Sequence, residues 1–320
     1  MVTVPSSALG SAATGREDAM EDLNETTVTE AVLQQMATTA DPRLREIMES
    51  AVKHMHAFAR EVSLKPEEWL YGIKFLTEVG KACTPFRQEF ILLSDTLGVS
   101  RMVNILHDGR AETVGTETSL LGPFYRTDSP RMQLGDSIAK EPGGEQVGLF
   151  GVVRDETGAP VVNAMVEVWQ TDPDGAYDLQ AKDPSNMDWR AQFRTDEQGR
   201  YWFRATLPMG YTIPLDGPVG RMIQAQGRHG CRPAHTHFLI GAPGYRELVT
   251  SIYYGSDQYI DSDTVFGVSK SLVVEPKSDL PASPFPGLRS IEFDFVLARA
   301  VAGDENSRVG ADPSALLAAE

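Results

Sequence analysis

Hydrophobic residues recur every three or four positions through the first third of the chain, which is the period of an amphipathic helix. The clearest stripe follows Asp41-Pro42, an acidic N-cap with proline at the first helical position. Other helix starts are predicted at Thr27, where Glu30 completes a capping-box pattern, at Lys65-Pro66, and at Thr84-Pro85 with a stop at Gly98. The pattern predicts a helical domain over residues 26–110.

After Tyr125 the pattern changes to short β-branched runs separated by glycine, proline and acidic turns. Many short strands spaced in this way favour an antiparallel β-sandwich over a parallel α/β sheet. We therefore expect a mainly β fold with an α-helical N-terminal part, the sandwich occupying residues 111–302. Residues 1–25 and 303–320 are small or polar and are predicted to be flexible tails. The predicted strands are 147–153, 163–170, 200–207, 236–241, 247–254, 270–275 and 290–297.

Charge and cysteine content narrow the classes of partner. The 320 residues carry a formal net charge of −16, which disfavours nucleic acid and anionic membranes because both require a basic surface. Cys83 and Cys231 are too few for a disulfide framework, and a reduced cytoplasmic setting is expected. We find no signal-peptide pattern, no apolar run of membrane-spanning length and no phosphate-binding glycine loop.

Candidate chemistry begins with His235-Thr236-His237. In a strand, alternate residues share a face, so the two imidazoles would lie side by side at a metal-ligand spacing. Taken alone, the pair is more often two structural histidines than a metal site. Tyr177 and Tyr211 lie in loops at predicted strand ends, where functional groups tend to be displayed, although a single tyrosine is usually a packing residue.

Four motifs, LLGPFY, EVWQTDPDGAYD, YTIPLDGPVG and GRHGCRPAHTHF, occur in an order and spacing that resemble the intradiol ring-cleaving dioxygenases from about residue 27 to 297. The resemblance implies one non-haem Fe(III) per subunit, held by Tyr177, Tyr211, His235 and His237. Phenolate is a hard anionic donor that favours ferric iron, and a bound cation explains how a phenol can be deprotonated at neutral pH. The resemblance also implies that Tyr211 leaves the metal to act as a general base, and that Arg232 is a catalytic cation beside the substrate.

The segment Ile213-Pro214 followed by Asp216-Gly217-Pro218 resembles the hydroxyquinol branch of this family. The implied reaction cleaves benzene-1,2,4-triol with O₂ to 3-hydroxy-cis,cis-muconate, which tautomerises to maleylacetate; catechol and chlorocatechol are the alternative substrates. Asp95 could accept a hydrogen bond from the third ring hydroxyl, or it could be a surface acid on the fourth helix. The pocket positions carried over by resemblance are Leu92, Asp95, Leu120, Leu121, Gly122, Pro123, Phe124, Ile213, Pro214, Arg232 and Val265.

Ser251 departs from the family pattern, which usually has glutamine or histidine at this position after the histidines. A polar contact toward the substrate region is therefore expected to be shorter, water-mediated or missing. The resemblance further implies a homodimer formed through the helical domain, with a phospholipid as a candidate ligand at its interface. Two other classes stay open from the residues alone: a non-catalytic β-sandwich binding module, and a zinc or cupin-like hydrolase that uses the histidine pair.

Overall fold

A computed structural model describes residues 22–84, 87–108, 115–141, 143–181, 183 and 185–300. The predicted tails, 1–25 and 303–320, lie outside the described residues except for residues 22–25. The chain forms two compact units, divided between Lys74 and Phe75, so the division falls inside the helical domain expected over 26–110. Within the described part, none of the helices combines the length and the apolar character needed to cross a membrane.

The first unit contains α1 (Thr27–Met36), α2 (Pro42–Glu61) and the beginning of α3 (Pro66–Ala82). Asp41 caps α2 as predicted, since its side chain accepts from the backbone N–H groups of Arg43 and Leu44. The capping box predicted at Thr27 is wrong. The side chain of Asn24 instead accepts from the N–H groups of Thr26 and Thr27.

Many large apolar side chains on the helices of the first unit are exposed. Only Val52 of α2 is buried, although the helix carries the long stripe seen in the sequence. An amphipathic helix normally buries its apolar stripe, so these helices present an uncovered hydrophobic surface. The exposed residues are Leu44, Ile47, Met48, Met55, Phe58, Val62, Trp69, Leu70, Tyr71 and Ile73.

The second unit contains the end of α3 together with α4 (Glu89–Thr96), α5 (Val99–Asp108) and α6 (Pro218–Ala225). The fourth helix begins later than predicted, because Thr84 and Arg87 exchange backbone hydrogen bonds in a tight turn ahead of it. Gly98 has a φ of 74° and ends α4 as predicted, since this left-handed conformation favours glycine. Helix α6 was not predicted.

The strands of the second unit form two main sheets and one short ribbon. In the first sheet, β1 (Gln146–Asp155) lies between β10 (Arg289–Glu292) and β11 (Phe295–Leu297) and also pairs with β4 (Arg200–Thr206). The second sheet has the order β3-β2-β7-β8-β9. Its strands are β2 (Met165–Gln170), β3 (Arg190–Arg194), β7 (His235–Gly241), β8 (Leu248–Tyr254) and β9 (Val273–Val274). The ribbon pairs β5 (Tyr211–Thr212) with β6 (Cys231–Arg232).

The predicted sandwich is confirmed, with one correction to its strand directions. A single hydrophobic core contains Phe203 and Phe295 from the first sheet and Phe193 and Phe238 from the second. The sheets are mixed, not strictly antiparallel, because β1 runs parallel to β10 and β11, and β8 runs parallel to β9. Such parallel pairs need crossover connections, which a pattern of short strands does not reveal.

The second sheet is covered on both faces. One face packs into the sandwich core, and the other contributes Trp169, Leu239 and Val249 to a second cluster. That cluster also contains Leu92 of α4 and Ile223 of α6. The histidines and tyrosines singled out in the sequence lie on this second face.

Candidate metal centre and active site

The register of three strands places the two histidines on the helix-covered face of the second sheet. His237 of β7 lies opposite Trp169 of β2 and Ser251 of β8, and His235 lies opposite Tyr253. Thr236 points to the other face, where its hydroxyl donates to Gln170, as strand alternation predicts. The Trp169 indole stacks on the His237 ring with centroids 4.8 Å apart and planes 4° apart, which fixes the imidazole orientation.

Both histidines present Nε2 to the same point. The two Nε2 atoms are 3.0 Å apart, and the Tyr177 hydroxyl lies 3.3 Å from His235 Nε2 and 3.2 Å from His237 Nε2. On the opposite side of each ring, His235 Nδ1 donates to the Pro233 carbonyl at 2.7 Å, and His237 Nδ1 lies 3.0 Å from Ser251 Oγ. The Pro233 carbonyl requires the His235 proton on Nδ1, which leaves the Nε2 lone pair of that ring for a metal, and Ser251 Oγ can accept from Nδ1 of His237 to give the same arrangement.

Burial and neighbouring positive charge keep both imidazoles neutral. Desolvation, assisted by the Arg232 charge, lowers the pKa of His235 to about 3. Desolvation, assisted by the neighbouring His235 ring and the Arg232 charge, lowers the pKa of His237 well below its usual value. Neutral imidazole is the form that binds metals, so both rings are ligand-competent at physiological pH.

Tyr177 is held by the turn that precedes it. Asp172 accepts from the N–H groups of Asp174 and Ala176, and the Tyr177 backbone N–H donates to the Gln180 side chain at 2.9 Å. The next residue, Asp178, forms a buried ion pair with Arg190. Phe124 stacks on the Tyr177 ring with centroids 4.3 Å apart, so the phenol is fixed on both its backbone and its ring.

Tyr211 is brought to the same point by the β5–β6 ribbon, in which it pairs with Arg232. Its ring lies perpendicular to that of Tyr177 with centroids 5.4 Å apart, and its centroid is 5.8 Å from that of His235. Burial raises the pKa of Tyr177 well above its usual value and also raises that of Tyr211. Two buried phenols at these pKa values become phenolates only beside a strong cation.

Arg232 is almost fully buried, with 2% of its surface exposed. Its Nε lies 3.1 Å from Asp263 Oδ1, its Nη2 lies 3.3 Å from Asp263 Oδ2, and its Nη1 lies 3.2 Å from His235 Nε2. Tyr253 Oη is 3.4 Å from Nη2 and is itself hydrogen-bonded to Ser119. The guanidinium group therefore extends from a buried carboxylate to the edge of the candidate metal centre.

Most of the predicted pocket residues surround this point. Leu92, Phe124 and Ile213 share a buried cluster with Tyr177 and Tyr211, and Leu121 packs against it. Gly122 has a φ of 73°, and a Cβ there would lie 3.5 Å from His237 Cε1. Leu120 is buried, and its backbone lies beside His237. Val265 is buried and its N–H donates to Asp263, whereas Pro123 and Pro214 are half-buried.

Asp95 of α4 is buried, with 5% of its surface exposed, so it is not a surface acid. Burial raises its pKa, and the neighbouring Ser100 hydroxyl and the Arg232 charge partly offset this increase. A buried carboxyl group whose desolvation is only partly compensated can accept a hydrogen bond from a polar group of a bound ligand.

Several residues that complete the site were not predicted from the sequence. Asp263 pairs with Arg232 across 31 positions, and Trp169 covers His237. Glu89 is fully buried, where it accepts from Arg87 Nε and from the Val219 N–H. A buried arginine requires a carboxylate, so Arg232 itself called for an acidic partner, but local spacing could not indicate which one.

The donor set fits a ferric ion better than zinc. Among the described residues there is no group of three or more histidine, cysteine, aspartate or glutamate side chains that could hold a metal. Within the part of the chain that the structure describes, the Tyr177 phenol lies beside the two neutral imidazoles, and the Tyr211 ring lies 5.4 Å from that of Tyr177. Two anionic oxygen donors match the hard, highly charged ferric ion.

Comparison with known proteins identifies the family of the chain. A family model described as Dioxygenase matches residues 121–299, and one described as Catechol dioxygenase N terminus matches residues 41–115. The chain is 42% identical to the hydroxyquinol 1,2-dioxygenase of Rhizobium sp. (strain MTP-10005), over 84% of this chain and 94% of the relative. It is 44% identical to that of Nocardioides simplex, over 88% of this chain and 98% of the relative.

The fold also matches a solved structure of such an enzyme. The crystal structure of hydroxyquinol 1,2-dioxygenase from Pseudomonas putida DLL-E4 superimposes with a TM-score of 0.79 at 40% identity, covering 86% of this chain and 99% of that one. The chain therefore belongs to the dioxygenase family. Within that family it is an intradiol ring-cleavage dioxygenase, and its members are iron-dependent in general.

Proposed function

We propose that this enzyme binds one ferric ion per subunit and uses O₂ to cleave hydroxyquinol between its two adjacent hydroxylated carbons. The expected product is 3-hydroxy-cis,cis-muconate, which tautomerises to maleylacetate. The observation that carries the proposal is the convergence of the Tyr177 hydroxyl and the two histidine Nε2 atoms within 3.0–3.3 Å of one another. The similarity to hydroxyquinol 1,2-dioxygenases supports the choice of substrate.

In this proposal Tyr177, Tyr211, His235 and His237 hold the metal. A ferric ion bound by them would supply Lewis acidity that favours the deprotonated form of both adjacent substrate hydroxyls. His235 and His237 are neutral because burial lowers their pKa, so neither loses a proton on binding. Ser251 Oγ lies 3.0 Å from His237 Nδ1, so this residue supports a metal ligand in the proposal.

Tyr211 is the proposed general base. Burial raises the pKa of Tyr211, and the neighbouring Arg232 charge partly offsets this by stabilising the phenolate form. The Tyr211 phenolate oxygen accepts a substrate proton, and the resulting hydroxyl stays next to Arg232. Arg232 also supplies a fixed cation beside the point where negative charge develops on the ring.

Asp95 is the proposed determinant of the third hydroxyl. A hydroxyl donor from hydroxyquinol would satisfy the buried carboxyl group, whereas catechol would leave it without that donor. Leu92, on the same helix and also buried, lies in the cluster that holds Phe124 and the two tyrosines. The helix α4 thus offers one polar and one apolar contact to a substituted ring.

The test is oxygen uptake by the iron-loaded enzyme with hydroxyquinol, catechol and 4-chlorocatechol as separate substrates. We expect one O₂ consumed per hydroxyquinol and the highest kcat/KM for hydroxyquinol. A higher kcat/KM for catechol or 4-chlorocatechol would reject the substrate choice and retain the dioxygenase chemistry. Failure to consume O₂ with all three, in protein shown to contain iron, would reject the proposed activity.

We further propose that the enzyme is a cytoplasmic homodimer that uses the exposed helices of its first unit. Continuous apolar patches on soluble proteins usually mark an interaction surface, and α2 alone exposes Leu44, Ile47, Met55 and Phe58. An apolar interface of this kind is also chemically suited to binding the acyl chains of a phospholipid. The two cysteines are unpaired, which agrees with a reduced compartment.

A further inference from the structure

Asp263 forms a two-point ion pair with one edge of the Arg232 guanidinium group. Its two carboxylate oxygens accept separately from Nε at 3.1 Å and from Nη2 at 3.3 Å. Paired contacts of this type fix the plane of the group as well as its position. The remaining nitrogen, Nη1, then has one direction available, and it lies 3.2 Å from His235 Nε2.

The same carboxylate organises the loop that follows it. Asp263 Oδ1 accepts from the Val265 N–H at 3.3 Å, and Oδ2 accepts from the Gly267 N–H at 3.0 Å. A Cβ at Gly267 would lie 2.6 Å from Tyr253 Oη and 2.9 Å from Arg232 Nη2, so the loop backbone closes tightly over the ion pair. Asp263 therefore connects the site arginine to the segment that carries Val265, a predicted pocket residue.

We propose that Asp263 is the positioning residue that directs Arg232 at the reacting centre and ties its orientation to the loop at Val265. This inference rests on the proposed function, in which Arg232 stabilises charge developing on the substrate. Asp263 acts through the arginine and the loop, because both of its carboxylate oxygens are engaged by the Arg232 guanidinium group and by the N–H groups of Val265 and Gly267. A neutral residue at this position would leave a 2%-exposed guanidinium group without its counter-charge and free to turn.

The test compares Asp263→Asn with Asp261→Asn, a matched loss of one carboxylate two positions away at an exposed site. Both variants are loaded with ferric ion and compared by thermal unfolding, visible absorption, kcat and KM with hydroxyquinol. For Asp263→Asn we expect kcat to fall by about 100-fold with a smaller change in KM, because misdirecting a catalytic group by about 1 Å costs about that factor. The visible band should shift in this variant, because Arg232 Nη1 lies 3.2 Å from His235 Nε2, and should be unchanged in Asp261→Asn.

A double-mutant cycle with Arg232→Lys identifies the route of the effect. If Asp263 acts through Arg232, adding Asp263→Asn to Arg232→Lys should lower kcat by less than about 3-fold further, because coupled residues are non-additive. Asp263→Glu keeps the charge and changes the reach, so it should fold and load iron but lower kcat. Full additivity in the cycle would overturn the inference.

Other outcomes are equally decisive. The inference is overturned if Asp263→Asn matches Asp261→Asn in kcat and in the visible band, or if both Asp263 variants fail to fold, which would make this residue a folding determinant. A wild-type enzyme that binds ferric ion but does not turn over hydroxyquinol would reject the proposed function instead. The band shift would still decide the role of Asp263 in that case.

Discussion

His235 and His237 are buried beside a guanidinium group, and both circumstances lower the pKa of their rings. Tyr177 and Tyr211 are buried in the same volume, where desolvation raises their pKa. Without a cation all four side chains are thus neutral, and the site holds two lone-pair nitrogens and two weakly acidic hydroxyls. Binding a ferric ion would release protons from the phenols but not from the imidazoles.

Ser251 supplies the test of how a ligand is supported. Its hydroxyl lies 3.0 Å from His237 Nδ1, so Ser251→Ala should leave the fold intact and weaken ferric binding by about 10-fold, the lower end of the effect of such outer contacts. Competition with a chelator measures this affinity. Ser262→Ala, at an exposed position, is the control and should bind ferric ion as the wild type does. Equal affinities in both variants would show that Ser251 does not support the ligand.

Asp95 supplies the test of substrate choice. The Asp95→Asn variant keeps the side-chain volume but removes the acidic acceptor, so the preference for hydroxyquinol over catechol in kcat/KM should fall by at least about 10-fold. Glu61→Gln, an exposed change of the same type on α2, should leave the ratio unchanged. A ratio unaffected by Asp95→Asn would move the recognition of the third hydroxyl to another residue.

Among the secondary-structure elements, α4 and α6 are joined through one acidic side chain. Glu89 of α4 is fully buried and accepts from Arg87 Nε at 2.9 Å and from the Val219 N–H at 3.1 Å, in the first turn of α6. Arg87 also donates a hydrogen bond to Asp216, which lies in the segment between Tyr211 and α6. The helix that carries Asp95 and the segment that carries Ile213 are thereby held together.

Removing this link should cost stability as well as alignment. Glu89→Ala leaves a buried N–H and part of a guanidinium group without their acceptor, so the free energy of unfolding should fall by about 3 kcal/mol. Glu78→Ala removes an exposed ion pair between α3 and Arg221 of α6, and such pairs contribute at most about 1 kcal/mol. Denaturant unfolding measures both. Equal losses in the two variants would contradict the role assigned to Glu89.

The sequence predicted elements with a strong period and missed those without one. The helical stripes of α2 and α3 and the β-branched runs of β1, β7 and β8 are regular over seven or more residues. By contrast, β3 reads Arg-Ala-Gln-Phe-Arg, β5 and β6 have two residues each, and α6 begins Pro-Val-Gly. Short or glycine-containing elements take their conformation from tertiary contacts, which local pattern does not record.

At the site, the sequence motifs predicted all four candidate ligands and Arg232, because each of these residues lies in a motif with distinctive spacing. Asp263 and Glu89 were missed for a physical reason. Their functions depend on partners 31 and 130 positions away, and nothing in the adjacent residues marks an acid as buried. Sequence patterns identify metal-ligating and basic residues that lie within one motif more readily than the distant acidic residues that pair with them.

At the scale of the whole molecule, the exposed apolar helices and the net charge of −16 act in opposite directions. Like charges oppose association, whereas an apolar surface of this extent favours it. We expect sedimentation equilibrium to give twice the chain mass of 35.0 kDa, and Met55→Glu with Phe58→Glu to shift the protein toward monomer. Glu46→Lys, at an already charged exposed position of α2, is the control. A wild-type protein at the mass of one chain would contradict the proposed dimer.

Ferric titration followed by visible absorption tests most directly whether two tyrosines and two histidines hold one ferric ion. Phenolate bound to ferric iron absorbs in the visible, so the account predicts a red band that saturates at one ion per chain. The band should weaken in both Tyr177→Phe and Tyr211→Phe, whereas Tyr71→Phe, an exposed tyrosine of α3, should leave it unchanged. A wild-type protein that stays colourless on titration, or a band unaffected by both site substitutions, would contradict the account.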